Sequence, residues 1–334
     1  MHKVAVLGAA GFVGALCSEL VWRHPQFELV AVTGRSDVGK RLNDVHPRYD
    51  VPLVLSELDV DQICQQADAV LVAYPHGASQ QVVAQLLAGG VKVVDLSADF
   101  RLDRDRYEDY YQAHEQPELI DEAVYGLTEY NRDAVRAARL VANPGCYPTA
   151  ALLALLPIAD LAVDVIVDAK SGVSGAGRAA TAATHFVSVT ENFTPYGVER
   201  HRHRAELEQL LPGPTITFTP HLLPIDQGLM ASCYVTTKDP IDADALRAKF
   251  AAVYDDQPFV RVVDRPPGVR DVRDSNMCHI YPTVEQATGR VLIFSAIDNL
   301  WKGAAGAAVQ NLNLMLGIDE AVGLDRKQAD HVPD

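Results

Sequence analysis

Hydrophobic positions follow two rhythms along this chain, and the change between them falls near residue 145. Before it, short apolar runs at residues 2–7, 27–33, 69–74 and 91–96 alternate with helical patterns such as 79–88, which closes on Gly89 and Gly90. Continuous Val-rich runs separated by helices are what a parallel sheet covered on both faces requires. The expected fold is therefore α/β, beginning with a doubly wound, Rossmann-type parallel sheet. From Val163 onward the runs are longer, β-branched and alternating, at residues 215–219, 230–237, 259–263 and 291–296. With helical patterns at 204–211 and 243–254, they predict a second, α+β domain built on a mixed or antiparallel sheet. A last helix at 303–316 should pack back on the first domain. The expected division is residues 1–145 plus 299–334 against 146–298, with a frayed polar tail at 325–334.

The 334 residues are 48% hydrophobic and carry a formal charge of −15, enough apolar material for two cores. That charge disfavours nucleic acid and anionic membrane as partners, so an anionic small molecule would have to be drawn in by a local Arg/Lys cluster. The apolar stretch at 149–169 is broken by Pro157, Asp160 and Asp164 and cannot span a bilayer. No leader precedes the first strand, which makes the cytoplasm the expected compartment. Five cysteines without a C-x-x-C pair suggest free thiols in a reducing setting and imply no metal. Cys17, Cys64, Cys233 and Cys278 read as structural.

The first strand runs into Gly8-Ala9-Ala10-Gly11-Phe12-Val13-Gly14, a glycine turn opening a helix. Such a turn lets backbone approach a pyrophosphate while the helix N-terminus holds its charge, so Gly8, Ala10, Gly11, Phe12, Val13 and Gly14 are candidate dinucleotide contacts. The second strand ends in Gly34-Arg35-Ser36-Asp37 instead of a lone acid. Arg35 and Ser36, with Lys40, suit a ribose 2′-phosphate and point to NADP(H), with solvated loop charges the lesser alternative for Arg35 and Lys40.

Asn143-Pro144-Gly145-Cys146-Tyr147-Pro148-Thr149 sets one thiol between a tight turn and an apolar helix. Unpaired N–H groups there favour thiolate, and a pKa of about 7 or below is the expectation for a nucleophilic Cys146. Asn143 is a candidate oxyanion donor. Arg101, in Asp95-Leu96-Ser97-Ala98-Asp99-Phe100-Arg101 after a strand, is the candidate anion clamp, with Ser97 as an added donor. The loop at 170–178 offers Ser171, Gly172 and Ser174 to a polar substrate. His201-Arg202-His203-Arg204 supplies an acid/base group, His203 before His201, with Arg202 as a further anion contact.

These segments, together with 219–224 and Asp298-Asn299-Leu300-Trp301-Lys302-Gly303, span nearly the whole chain and resemble the N-acetyl-gamma-glutamyl-phosphate reductase family. That family is related to aspartate-semialdehyde dehydrogenases. The resemblance implies an NADP-binding Rossmann domain, an α+β catalytic domain, Cys146 as nucleophile and a histidine of 201–203 as acid/base. It also implies Asn299 and Lys302 at the cofactor, a place in arginine biosynthesis, and a homo-oligomer, dimer or tetramer. Ala205 stands where the family commonly has proline, and Gln227 where many members have arginine. Reductases acting on aspartyl phosphate or on a carrier-linked aminoadipyl phosphate, and a non-catalytic NADP-binding regulator, are the alternatives.

Overall fold

The computed structural model describes residues 1–324; the tail expected to fray lies outside them. Six parallel strands form the first sheet: β1 (His2–Leu7), β2 (Phe27–Thr33), β3 (Ala69–Val72), β4 (Lys92–Asp95), β5 (Val124–Tyr125) and β6 (Leu140–Ala142). Their spatial order is β2-β1-β3-β4-β6-β5, so the winding direction reverses between β1 and β3. Loops leaving the carboxyl ends of those two strands therefore diverge and leave a crevice, where ligands bind in open sheets of this kind.

The glycine turn fills one wall of that crevice. Gly8 has φ +80°, and a Cβ there would lie 2.4 Å from the Ala73 carbonyl oxygen. A Cβ on Gly14 would fall 2.2 Å from the Gly8 carbonyl oxygen, so helix and turn pack only because both residues lack one. Gly11 caps the helix Phe12–Arg23 without any side-chain bond, leaving its first-turn N–H groups open to the crevice.

The second sheet is mixed, built of β7 (Ala162–Gly172), β8 (Thr194–Pro195), β9 (Thr215–Leu223), β10 (Leu229–Thr237), β11 (Val260–Val262), β12 (Cys278–Val284) and β13 (Val291–Ile297). Its order is β11-β12-β13-β10-β7-β9-β8. β12 has no clear signature in the sequence because Pro282 interrupts it. The overlap with β11 ends at Ile280, so Pro282 sits where one side of the strand is unpaired, a position that tolerates proline. Alternation along β7, β10 and β13 sends Val165, Val167, Ala231, Cys233, Val235, Val291 and Ile293 into a core beneath the helices Cys146–Leu155 and Ala243–Tyr254. The helix Cys146–Leu155 is buried at every residue after the first, which explains its lack of polar positions.

The chain then returns to the first domain. The expected final helix is two pieces, a π-helical turn at Trp301–Ala305 and the helix Gly306–Met315, which packs on Phe12–Arg23 and on Thr128–Ala137. π-turns cluster at functional sites because they displace one residue from the helical register. Here the displaced turn lays Gly303 against Cys146: a Cβ on it would be 2.8 Å from Cys146 Cβ.

Candidate active site

A cleft of about 920 Å³ runs from the glycine turn across the domain junction, lined by Gly8, Ala10, Gly11, Phe12, Val13 and Gly14 at one end and by Cys146 and His203 at the other. A second chamber of about 690 Å³ lies beside the second sheet and is lined by Ser171, Gly172, His201 and Arg202. The two meet at His76, Cys146, Gly175 and His203.

Cys146 opens its helix, and the peptide before it is held by a buried carboxylate. Glu206 accepts from Gly145 N (3.0 Å), from the Tyr125 hydroxyl (2.7 Å) and from Arg101 Nη1 (3.1 Å). Gly145 is obligatory, because a Cβ would meet His203 Nε2 at 2.7 Å and Glu206 Oε1 at 2.9 Å. Gly303 therefore lies against Cys146, Gly145 makes room for the His203 imidazole, and Cys146 and His203 line the same two chambers.

The expectation of a low thiol pKa fails. Burial pushes the Cys146 thiol up to about 11; the Tyr147 N–H and Arg101 pull it down, and Glu206 adds a further upward push. Desolvation exceeds the helix-end contribution at this site, so the resting residue is a thiol and needs a base. His203 is suited to that. Burial first, then the neighbouring His201 and Arg101, hold its pKa well below the ordinary value, so it is neutral near pH 7. Its Nδ1 is buried and finds no partner among the described residues. His201 is committed elsewhere: its Nδ1 accepts from His203 N at 3.1 Å and caps the helix Arg202–Leu210. With that cap in place the helix starts without a proline, and Ala205 is fully buried.

Other expected site residues divide between the cleft and the layer beneath it. Arg35 lies 5.7 Å from the Tyr74 ring centroid and forms no ion pair among the described residues, and Ser36 lines the same end of the cleft. Asp37, the acid that could have bound a free ribose hydroxyl, is engaged by Lys40 (2.8 Å) and Arg178 (2.7 Å), which hold its carboxyl down at about 2. Asn299 accepts from Gly228 N (2.7 Å) and donates to Ser174 Oγ (2.9 Å), fixing the 170–178 loop at the cleft wall. Asn143 donates to the Ala304 carbonyl and accepts from Asn311, both at 3.2 Å. Ser97 and Lys302 are not in the cleft. Ser97 is fully buried against Asp95 and Ser79, and the Lys302 ammonium is spent on Glu129 (2.6 Å) and Gln310 (2.7 Å). Gln227 is likewise buried, between Arg48 and Asp298.

Sequence reasoning missed Arg178, His76 and the role of Glu206. Arg178 reaches from the second domain to the Ala10 carbonyl oxygen (3.2 Å). His76 was legible, since it follows β3 as the glycine turn follows β1.

Family models for the semialdehyde dehydrogenase NAD-binding domain and the semialdehyde dehydrogenase dimerisation domain match residues 3–138 and 146–299. N-acetyl-gamma-glutamyl-phosphate reductases of Desulfotalea psychrophila and Desulforudis audaxviator are 44% and 45% identical to the chain, over 97% of it and 98% of each relative. The chain belongs to the N-acetyl-gamma-glutamyl-phosphate reductase family. It is an oxidoreductase with a nicotinamide-dinucleotide domain. Among solved structures, aspartate semialdehyde dehydrogenase II of Vibrio cholerae, complexed with ASA, superposes with TM-score 0.74 at 20% identity, covering 95% of this chain and 98% of that one. The Candida albicans enzyme with NADP gives 0.68 at 16%, covering 95% and 98%. Both share the two-domain fold. No helix among the described residues is long and apolar enough to cross a membrane.

The height of the thiol pKa is testable by alkylation. Inactivation of the free protein by iodoacetamide should climb about tenfold per pH unit from pH 7 to 10 without levelling. A plateau near pH 7 would restore the low-pKa thiolate.

Proposed function

We propose that this reductase converts N-acetyl-γ-glutamyl phosphate to the γ-semialdehyde with NADPH, through a thioester on Cys146. The observation that carries this reading is the meeting of the two chambers. A dinucleotide laid on the glycine turn and a substrate in the second chamber can touch only where Cys146 and His203 stand.

The residues present fit a dinucleotide. Gly8 and Gly14 exclude side chains where a pyrophosphate would approach, and Gly11 leaves N–H groups free. Arg35 and Ser36, with Asp37 neutralised, favour a 2′-phosphate, hence NADP(H) over NAD(H). When bound, the reduced nicotinamide supplies one hydride to the thioester carbon. The chain's own groups do the rest. Neutral His203 takes the Cys146 proton as sulfur attacks the acyl carbon; the S–C bond forms, the C–O bond to phosphate breaks, and the proton leaves on the phosphate. A thioester accepts hydride far better than a carboxylate would. His203 then draws a proton from solvent and delivers it to the thiohemiacetal oxygen. Collapse breaks the C–S bond, releases the aldehyde and returns the proton to the thiol. Arg101 contributes positive charge behind the phosphate, Arg202 at its rim, and N–H groups of the Cys146 turn face the developing oxyanion.

A homo-oligomer in the cytoplasm completes the reading. One face of the second sheet lies beneath helices, while Ile166, Tyr234 and Leu292 share a row of the other face, with Phe294 and Tyr281 paired in the next. These side chains stay half-exposed and form an apolar surface suited to a second copy. Sedimentation should give a dimer or larger that Phe294→Lys weakens; a monomeric wild type would contradict this.

The test of function is the reverse reaction. N-acetylglutamate semialdehyde should reduce NADP in a phosphate-dependent manner, aspartate semialdehyde should not, and Cys146→Ser should lose at least about a thousandfold in rate while still binding NADPH. Turnover by the serine variant, or preference for the aspartyl aldehyde, would overturn the assignment.

A further inference from the structure

Of the four residues at the meeting of the chambers, Cys146 and His203 have roles and Gly175 has no side chain. His76 remains. It follows β3 on the loop opposite the glycine turn, and its ring surface opens into both chambers.

The tautomer of His76 is fixed by the backbone. Its Nδ1 accepts the Ala98 N–H at 2.9 Å, so in the neutral ring the single hydrogen sits on Nε2. Nε2 makes no hydrogen bond to any described residue. The residue is solvent-exposed, and desolvation, then Arg101 and Arg202, lower its pKa, so the ring favours its neutral form. Near neutrality it is a donor that does not give up its proton.

Two guanidiniums, Arg101 and Arg202, act on it in a chain of charge −15, with the Asp99 carboxylate opposing them. The His76 ring meets the Tyr111 ring edge-on at 5.6 Å, and the Arg202 guanidinium lies 5.2 Å from the same Tyr111. Arg202 has no ion pair among the described residues. Arg101, by contrast, spends Nε on the Asn143 carbonyl (2.7 Å), Nη1 on Glu206 (3.1 Å) and Nη2 on the Leu96 carbonyl (2.8 Å). It supplies field more than contact.

We propose that His76, through Nε2–H and with Arg202 beside it, binds the phosphoryl group of the substrate as it leaves the acyl carbon on Cys146. The inference rests on the acyl-phosphate reading above. A leaving phosphate must be held next to the carbon that sulfur attacks, hence at the junction, and by donors that remain donors throughout. The phosphates of the dinucleotide are a second anion that reaches this cleft, but the glycine turn and Arg35 already serve them at the far end.

Two substitutions separate the donor from the ring's structural bond. His76→Asn keeps an acceptor for Ala98 N and removes the Nε2–H; His76→Gln keeps a donor near the Nε2 position. In the reverse reaction with inorganic phosphate, His76→Asn should raise the KM for phosphate by about 10- to 100-fold, the loss expected for a hydrogen bond to a charged group. The KM for the aldehyde and the Kd for NADP, read by fluorescence quenching, should stay within about twofold of wild type. His76→Gln should recover most of the phosphate affinity. An unchanged phosphate KM in His76→Asn overturns the proposal, as does a loss confined to NADP affinity, which would give His76 to the cofactor. Failure of the acyl-phosphate reading itself is distinguishable, because it shows as an absence of phosphate-dependent turnover in the wild-type chain.

Discussion

The Glu206 carboxylate accepts from a backbone N–H, a phenol and a guanidinium, and those three donors come from three separate parts of the chain. Gly145 precedes Cys146, Tyr125 lies on β5 and Arg101 follows β4. Glu206 itself rides on the helix Arg202–Leu210 of the second domain, one turn past His203. A buried carboxylate is tolerable only when paired and hydrogen-bonded, and removing one partner of such a pair costs about 3–5 kcal/mol. The arrangement therefore fixes where Cys146 and His203 stand relative to each other. It also spends most of what Arg101 could offer an anion, which is why the phosphate contact passes to His76 and Arg202.

Around that carboxylate, the site is shaped by the absence of side chains. Gly145 makes room for His203, and Gly303 makes room for Cys146. Gly303 arrives there through the π-turn, a local departure from the α-helical register that brings the returning segment onto Cys146.

Much of this was legible in the sequence. The doubly wound sheet declared itself through Val-rich runs and a glycine turn, and Pro144-Gly145 ahead of an apolar helix marked Cys146. What the sequence concealed were outcomes of competition. A helix N-terminus favours thiolate, but the same packing that places the thiol there also desolvates it, and desolvation dominates. Lys302 and Ser97 sit beside functional residues in the chain and yet point the other way, into Glu129 and Asp95. That His201 serves as a helix cap rests on one hydrogen bond, His203 N to His201 Nδ1, that no spacing rule reveals. β12 was hidden by Pro282, whose tolerance depends on the short overlap with β11.

The most direct test of this account is the activity of Glu206→Gln. The amide preserves size and keeps an acceptor for some of the three donors, but it leaves Arg101 without its counter-charge. Displacing a reacting group by even an ångström costs about a hundredfold in rate. The account predicts a fall in kcat of that order with the Kd for NADPH unchanged, since no dinucleotide contact passes through Glu206. A kcat within about twofold of wild type in a folded Glu206→Gln protein would show that the nucleophile is positioned by something else.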